Sequence, residues 1–505
     1  MIYDGTALDR DRAFEADVAI VGTGAGGGTA AEILAEKGLR VVLVEEGPLR
    51  TSRDFHMLER EAYPQLYQES AGRRTKDKGI VILQGRAVGG STTVNWTSSF
   101  RTPAQTLQYW NEHFGLHDYT VGELAPWFEH MEKRLNVHPW DEPPNPNNAI
   151  LARGARALGI PTAVIPRNVK GCHNLGYCGM GCPVDAKQSM LVTTIPAALE
   201  RGAILIHNTR AQRFTLHGDR VASLECVAGA RTITVTARAY VAAGGAINTP
   251  ALLLRSSVPD PHGLLGRRTF LHPTLISAAV MPEVVAPFAG APQSIYSDHF
   301  LHTQALDGPI GYKLEVPPVH PVLLSTTTPG FGSSHAQLLA QLPHLQVIIA
   351  LLRDGFHPES DGGNVGLRGD GSPLLDYPIS PYVWEGARRA LKTMAQIQFA
   401  AGATSVLPVH ESAQPVTSLA QAEHLIDALP MEILRATVVS AHVMGGCGMG
   451  SDPAHSVIGT DGRFHHLENL YVFDGSTFPT SIGANPQLSI YGMVARNASR
   501  LAARL

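Results

Sequence analysis

A histidine and a cysteine stand close together in the glycine-rich stretch SAHVMGGCGMG, residues 440–450. His442 carries the side chain that most readily gains or loses a proton near neutral pH, and Cys447 could serve as a metal ligand or a redox thiol. No second ligand stands beside them at a spacing that suits a metal ion. A packed thiol is therefore the favoured interpretation of Cys447, while the role of His442 depends on the rest of the chain.

Three further cysteines, Cys172, Cys178 and Cys182, lie in the segment GCHNLGYCGMGCPVDAKQS. Three soft ligands could hold a zinc ion or an iron–sulfur cluster. The spacing lacks the C-x2-C pair common in metal motifs, so buried structural thiols are favoured and no metal site is predicted. The odd number of cysteines and the charged N-terminus, which has no apolar signal region, predict free thiols and a cytoplasmic location.

Gly22, Gly24 and Gly27 form a G-x-G-x-x-G motif between a predicted strand and a predicted helix. The first glycine permits a tight turn, the second lets a pyrophosphate approach the backbone, and the third lets the helix pack closely on the strand. A second strand ends at Glu45, where a carboxylate can bind a pair of ribose hydroxyls. The resulting βαβ unit, residues 16–47, predicts a dinucleotide-binding site.

Two later segments repeat the order of strand, loop and helix. Residues 239–256 predict a strand, a glycine turn and a helix with Pro250 at its first position. Residues 469–505 predict a strand, a loop and a terminal helix, with Asn485 placed to cap that helix and Pro486 in its first turn. These pieces extend the nucleotide-binding domain to the end of the chain.

The middle of the chain has a different character, rich in histidine, proline and short alternating apolar runs. It predicts an antiparallel sheet with covering helices. The sequence therefore predicts an α/β fold with a Rossmann-like nucleotide-binding domain assembled from discontinuous segments, 1–262 and 438–505, with loops inserted at 52–79 and 105–200. A substrate-binding domain is predicted over 263–437.

The chain resembles the glucose-methanol-choline (GMC) family of FAD-dependent oxidoreductases. The matching segments occur in the family's order: GTGAGGGTAAEILAEKGLRVVLVEEG, GRAVGGSTTVN, AAGGAINTPALLLRSS, AHVMGG and LYVFDGSTFPTSIGANPQLSIYGMVAR. They cover both ends of the chain, and the middle matches only loosely. The resemblance implies that the dinucleotide is FAD.

The resemblance also implies which residues bind FAD. The ADP half would lie on Gly22, Gly24, Gly27 and Glu45, and the flavin would lie along Gly90, Ser91 and Asn95. A backbone contact to adenine falls on Ala211, where the family's usual valine is absent, and contacts near the ribityl chain and pyrophosphate fall on Asp474 and Gly475. The terminal helix would start at Asn485 and Pro486 beside the flavin. No histidine stands near the GRAVGGST run, so non-covalent binding is predicted.

The same resemblance implies that His442 is catalytic and that Asn485 is its partner. Oxidation of an alcohol removes the hydroxyl proton and transfers a hydride from the carbinol carbon to flavin N5. A neutral imidazole suits the first task as a base, and an amide can position the oxygen without competing for its proton. If the terminal helix starts beside the flavin, its positive end would favour the negatively charged reduced flavin.

Composition limits the partners. The formal net charge is −4 and no long basic run is present, so no nucleic-acid partner is predicted. The most apolar stretch, 336–352, is interrupted by Pro343 and His344 and is too short to span a bilayer, so no transmembrane segment is predicted. The apolar middle segment favours an apolar primary or secondary alcohol over a sugar. Two alternatives stay open: a non-redox flavoprotein lyase acting on cyanohydrins, and the flavin subunit of an electron-transfer complex. The electron acceptor, oxygen or quinone-like, and the oligomeric state also stay open.

Overall fold

The chain folds around two large β-sheets, and the structure, a computed structural model, describes all 505 residues. Its α-helices are α1 (Ala25–Glu36), α2 (Glu59–Leu66), α3 (Ala104–Phe114), α4 (Val121–Arg134), α5 (Pro146–Ala157), α6 (Thr194–Glu200), α7 (Gly245–Arg255), α8 (Pro321–Thr327), α9 (Gly332–Ala340), α10 (Pro381–Ala400), α11 (Leu419–Ala428) and α12 (Gln487–Ala502). Its strands are β1 (Ile2–Asp4), β2 (Arg12–Val21), β3 (Val41–Val44), β4 (Ile80–Ile82), β5 (Val137–Pro139), β6 (Ala163–Val164), β7 (Pro166–Asn168), β8 (Ile204–His207), β9 (Arg210–His217), β10 (Arg220–Ala228), β11 (Arg231–Ala242), β12 (Thr269–Phe270), β13 (Thr274–Val280), β14 (Ile295–Ser297), β15 (Tyr312–Glu315), β16 (Leu345–Leu352), β17 (Asn364–Leu367), β18 (Pro373–Asp376), β19 (Ser405–Pro408), β20 (Val438–Ser440), β21 (Met444–Gly445) and β22 (Leu470–Val472).

The first sheet has the strand order β1-β8-β3-β2-β11-β10-β9, with β22 alongside β11. Its central pairs are parallel, while β9, β10 and β11 form antiparallel neighbours. All four residues of β3, the run VVLV, are buried, as expected of a parallel strand covered on both faces. Helices α1 and α12 pack against each other, so the two ends of the chain share one domain.

The second sheet has the order β4-β20-β13-β16-β15-β14-β6, with β19 alongside β13. All of its pairs are antiparallel except β4 with β20. Helix α10 packs on β13 and β16, and α5 packs on α10. Strands β4 and β6 join this sheet from earlier parts of the chain. The predicted α/β fold, a Rossmann-like domain plus a domain with an antiparallel sheet and covering helices, is confirmed.

Two predicted helix starts are wrong. Helix α7 begins at Gly245, so Pro250 lies inside it rather than at its first position. The helix starts early because Asp474 accepts a hydrogen bond from the backbone N–H of Gly245 (2.8 Å). Helix α12 begins at Gln487 with Pro486 at its N-cap and no side-chain cap. The Asn485 side chain does not cap this helix, because it is bonded elsewhere.

No helix of the structure combines the length and the apolar character needed to cross a bilayer.

Candidate active site

A cavity of about 850 Å³ is lined by residues from both sheets. Its wall brings together all but one of the predicted site residues, which are Gly22, Gly24, Glu45, Gly90, Ser91, Asn95, Ala211, His442, Asp474, Gly475, Asn485 and Pro486. The exception, Gly27, lies inside α1, where a Cβ atom would be 2.0 Å from the carbonyl oxygen of Gly22. Gly27 therefore lets helix α1 pack closely on the turn that follows β2.

Glycines at the start of α1 leave room for a ligand to approach the protein backbone. Gly22 has a φ of +96°, and a Cβ atom there would lie 2.4 Å from the carbonyl oxygen of Ala243. Gly24 is the N-cap of α1, and a Cβ atom on it would meet nothing closer than Gly90 at 3.8 Å. The unpaired amides of this twelve-residue helix therefore face open space, which suits an anionic group. Gly26, which the motif does not single out, is needed because Phe473 passes directly over it.

The carboxylate of Glu45 is buried at the end of β3. One oxygen accepts hydrogen bonds from the amide and hydroxyl of Thr23 (3.0 and 2.7 Å), and the other accepts one from the amide of Gly47 (2.8 Å). Burial raises its pKa to about 7. Oε2 has both lone pairs engaged and Oε1 keeps one free, so a further hydroxyl donor from a ligand would favour the charged form of Glu45.

Asp474 holds two loops together at the cavity wall. Its carboxylate accepts hydrogen bonds from the Gly245 amide (2.8 Å), the Thr249 hydroxyl (2.6 Å) and the Ser476 amide (2.8 Å). Nearby, Asn95 donates from its amide to the Gln487 side chain (2.6 Å). Both predicted contact residues therefore have structural partners of their own, and any ligand contact adds to these.

Ser91 and Ala211 lie at separate parts of the same wall. The Ser91 hydroxyl accepts from the Gly85 amide (2.9 Å) and so fixes the turn that carries Gly90. Ala211 lies on β9, and its carbonyl accepts from the Arg255 guanidinium (3.2 Å). The predicted contact of Ala211 to adenine stays a prediction.

His442 and Asn485 meet at the boundary between the two sheets. His442 follows β20, Asn485 precedes α12, and His442 Nε2 lies 3.4 Å from Asn485 Nδ2. Burial lowers the pKa of His442 to about 4, so the imidazole is neutral near pH 7. A neutral imidazole and an amide nitrogen therefore face the cavity side by side.

A second histidine lies behind His442. His272 Nδ1 is 3.2 Å from His442 Nδ1, and His272 Nε2 accepts from the amide of Gly483 (3.1 Å). Burial lowers the pKa of His272 well below its ordinary value, so this ring is neutral. Since its Nε2 accepts, its proton is on Nδ1 and is donated to His442 Nδ1. Neutral His442 then carries its proton on Nε2, beside the N–H of Asn485.

Models of known protein families match most of this chain. Family models described as GMC oxidoreductase match residues 63–274 and 358–494, and a model of an FAD binding domain matches residues 17–55. A GMC-type oxidoreductase of Mycobacterium tuberculosis is 31% identical over 99% of this chain and 78% of its own length. The chain belongs to the GMC oxidoreductase family. It is an FAD-dependent oxidoreductase that acts on CH–OH donors.

The chain is also similar to a second relative and to a solved structure. A long-chain-alcohol oxidase of Arabidopsis thaliana is 30% identical over 94% of this chain and 65% of its own length. The crystal structure of pyridoxine 4-oxidase from Mesorbium loti superimposes with a TM-score of 0.69 at 20% identity, over 96% of this chain and 98% of that one. The second similarity concerns the fold alone.

The residues of this GMC oxidoreductase fit FAD. Buried Glu45 offers a free lone pair on Oε1 to a hydroxyl donor, the start of α1 offers unpaired amides, and the turn at Gly24 and Gly90 has no side chains to block a ligand. Glu45 and Gly24 line one continuous cavity with His442. A dinucleotide held at its ADP end by these groups can therefore extend toward the histidine.

A buried ion pair that no sequence motif indicates lies behind Asn485. Lys313 Nζ lies 2.9 Å from Glu315 Oε1, and both side chains are almost fully buried. Lys313 donates to Asn485 Oδ1 (2.9 Å), and Glu315 Oε2 accepts from Asn485 Nδ2 (3.1 Å). The pair fixes the amide orientation, because a flipped amide would set donor against donor and acceptor against acceptor. No local motif marks this pair in the sequence.

Lys187 is another residue that no motif indicates. Its buried ammonium donates to the carbonyls of Thr93 (2.6 Å), Asn95 (3.0 Å) and Cys178 (2.7 Å). Burial lowers the pKa of Lys187 to about 8. The ammonium ties the 90–95 turn to the cysteine-rich segment, so it supports the backbone on which the flavin is predicted to lie.

The five cysteines are free thiols. Cys172, Cys178 and Cys182 are half-buried, and no group of three or more His, Cys, Asp or Glu side chains has an arrangement that could hold a metal ion. Cys447 is fully buried in the core of the first domain, and burial raises the pKa of its thiol well above its ordinary value. Cys447 is therefore a packed thiol, whereas Cys172, Cys178 and Cys182 are half-buried and not the fully buried thiols that the sequence favours.

Proposed function

We propose that this protein oxidises an apolar primary or secondary alcohol to an aldehyde or ketone, with the substrate oxygen bound between His442 and Asn485. The observation that carries this proposal is the 3.4 Å separation of His442 Nε2 and Asn485 Nδ2. Two nitrogen atoms at this spacing can both lie within hydrogen-bond distance of one oxygen placed between them. The site would then hold the substrate oxygen and so fix the position of the carbinol carbon attached to it.

FAD held in this cavity would supply, at its N5 atom, the acceptor for the hydride of the carbinol carbon. The protein supplies two fixed N–H groups directed at the oxygen, where negative charge develops as the hydroxyl proton leaves. Asn485 needs no reorganisation for this task because Lys313 and Glu315 hold its amide. This preorganisation supports an electrostatic role for Asn485.

The predicted role of His442 is to take the hydroxyl proton. A base at Nε2 needs the tautomer with its proton on Nδ1, and that tautomer loses the hydrogen bond from His272. The bonds of the resting site favour the tautomer that donates from Nε2. The base role therefore stays a prediction, and the tautomer of His442 with an alcohol bound tests it.

The chemistry of the cavity wall supports an apolar substrate. Beyond His442 the cavity runs along the face of β13 and β16, where Ile276, Ala278, Val347 and Ile349 line it. Helix α8 lies opposite and contributes leucines to the wall. Thr326 and Thr327 of α8 also line the cavity, but the aliphatic side chains of this part cannot bind a sugar hydroxyl, so an alkyl or aryl group fits here better. Similarity to the long-chain-alcohol oxidase supports the same substrate class.

The test is anaerobic mixing of the FAD-loaded enzyme with a panel of alcohols, followed by the absorbance of oxidised flavin. We expect apolar alcohols to bleach the flavin band. His442→Ala should keep FAD and slow this bleaching by about 10²- to 10⁴-fold, the usual range for a group that moves a proton. The exposed His262→Ala is the matched control and should leave the rate unchanged.

Turnover without bleaching of the flavin would refute the proposal in favour of a non-redox lyase. The same panel, repeated with oxygen and with a quinone-like acceptor, identifies the electron acceptor. Bleaching by sugars but not by apolar alcohols would refute the proposed substrate class while leaving oxidation intact.

A further inference from the structure

Residues 317–344 form a hairpin of two short helices, α8 and α9, which we term the α8–α9 hairpin. The stretch from 316 to 352 contains no Asp, Glu, Lys or Arg, although charged residues make up 17% of the whole chain. An exposed segment normally carries charges that keep it in water. The exposed positions of the hairpin therefore carry only uncharged side chains, which lowers the cost of moving this segment from water to an apolar surface.

The tip of the hairpin presents one large apolar side chain. Phe331 is 89% exposed, the largest exposure of any large hydrophobic residue in the chain. Gly330 and Gly332 flank it with φ values of +103° and +68°, and a Cβ atom on either would meet no neighbour within 4 Å. The turn therefore projects Phe331 away from the protein, and only glycine adopts these conformations without strain.

The inner face of the same hairpin roofs the cavity. Val319, Leu323 and Leu324 line the cavity opposite the face of β13 and β16. Val322, which also lines the cavity, is 41% exposed, and α9 has no buried residue at all. The hairpin therefore separates the apolar half of the cavity from the surroundings by the thickness of one short helix.

The attachment of the hairpin is concentrated at its base. The carboxylate of Glu59 accepts hydrogen bonds from the amides of Val322 (2.7 Å) and Leu323 (2.8 Å). Thr437 donates to the carbonyl of Thr327 (3.3 Å). Beyond Thr328, the polar contacts of α9 remain within the hairpin, as in the bond between Thr328 and His335 (3.2 Å). The tip is free to insert while the base stays fixed.

We infer that the α8–α9 hairpin docks the protein on a neutral phospholipid surface, with Phe331 inserted among the acyl chains. An apolar face without basic residues gains nothing from anionic headgroups and gains from burial of apolar area. The position over the cavity then lets an apolar alcohol pass from the lipid to His442 without crossing water. That last consequence rests on the proposed function, whereas the docking itself does not.

The experiment is flotation of the FAD-loaded full chain with phosphatidylcholine vesicles. We expect the protein to float with the vesicles, with no gain when phosphatidylserine is added and no loss in 0.5 M NaCl, because an apolar contact is not screened by about half-molar salt. F331D should weaken binding by about ten- to a hundredfold, the loss expected for one buried phenylalanine.

The matched control is Val121→Asp, which places the same charge at a 55% exposed valine on α4 and should leave binding unchanged. Both variants should keep wild-type flavin reduction by a short water-soluble alcohol, which separates a failure of docking from a failure of the proposed function. Protein that stays with the buffer, or F331D that floats as wild type does, would overturn the inference. So would wild-type dimers that F331D dissociates without any vesicle binding, since the occupant would then be a second copy of the chain.

Discussion

His272 Nδ1 lies 3.2 Å from His442 Nδ1, and the amide of Gly483 donates to the opposite side of the His272 ring. The N–H of Gly483 thus fixes which nitrogen of His272 donates, and that in turn fixes which nitrogen of His442 accepts. The proton of His272 must be on Nδ1, and the proton of neutral His442 must then be on Nε2. The orientation of the reactive histidine is decided by a residue that does not touch the cavity.

The tautomer of His442 can be measured directly. In protein labelled with ¹⁵N at histidine, we expect the Nε2 signal of His442 to be that of a protonated nitrogen and the Nδ1 signal that of an acceptor. His442→Asn assigns the signals. In His272→Phe the bond to Nδ1 is lost, and we expect both tautomers to appear. A wild-type spectrum with the proton on Nδ1 would contradict the chain of bonds from Gly483.

The pH dependence of flavin reduction follows from the low pKa of His442. Burial lowers this pKa to about 4, so the neutral ring persists far below its ordinary value of 6.5. We expect the anaerobic rate of flavin reduction to stay level from about pH 8 to about pH 5 and to fall only toward pH 4. Stopped-flow measurement over this range is the test. An inflection near pH 6.5 would mean that His442 is as hydrated as an exposed histidine.

The free energy of unfolding should fall as the pH is lowered from about 6.5 to about 4. The folded-state pKa of His442 lies below its unfolded value, so the unfolded chain binds more protons between about pH 6.5 and pH 4. This contribution to the free energy of unfolding is fully present above pH 6.5 and is lost as the pH falls toward 4. In His442→Gln, urea unfolding at several pH values should show a shallower decline than in the wild type.

Replacing only one member of the Lys313–Glu315 pair should destabilise the protein more than replacing both. Glu315→Gln leaves the Lys313 ammonium without its counter-charge in a buried site, and we expect the free energy of unfolding to fall by about 3–5 kcal/mol. Lys313→Met combined with Glu315→Gln should lose less. Asp376→Asn, which breaks the exposed Lys76–Asp376 pair, is the control and should leave the stability nearly unchanged. Equal losses in the single and double variants would refute this account.

Glu45 should govern the affinity for FAD. Its buried carboxylate can accept hydrogen bonds from cofactor hydroxyls, and bonds to a charged group are worth about 1.5–3 kcal/mol. We expect Glu45→Gln to weaken FAD binding by about 10- to 150-fold, measured by flavin fluorescence as apoprotein is titrated. Glu36→Gln on the exposed end of α1 serves as the control. Unchanged affinity in Glu45→Gln would place the cofactor's hydroxyls elsewhere.

Much of this protein could be predicted from local sequence. Gly22, Gly24 and Glu45 stand within one βαβ unit, where glycine conformation and the alternation of apolar runs depend only on near neighbours. The α/β fold and the FAD cofactor follow from that unit and from the family resemblance. His442 and Asn485 are likewise marked by short motifs.

The tertiary structure decided what lies behind those motifs. Asn485 was predicted to cap α12, and instead its amide is held by Lys313 and Glu315, which stand about 170 positions earlier. His272 is equally distant from His442 along the chain and yet sets its tautomer. Contacts of this kind form where strands of the second sheet meet loops of the first. No spacing in the sequence encodes them, because they depend on how the two sheets pack against each other.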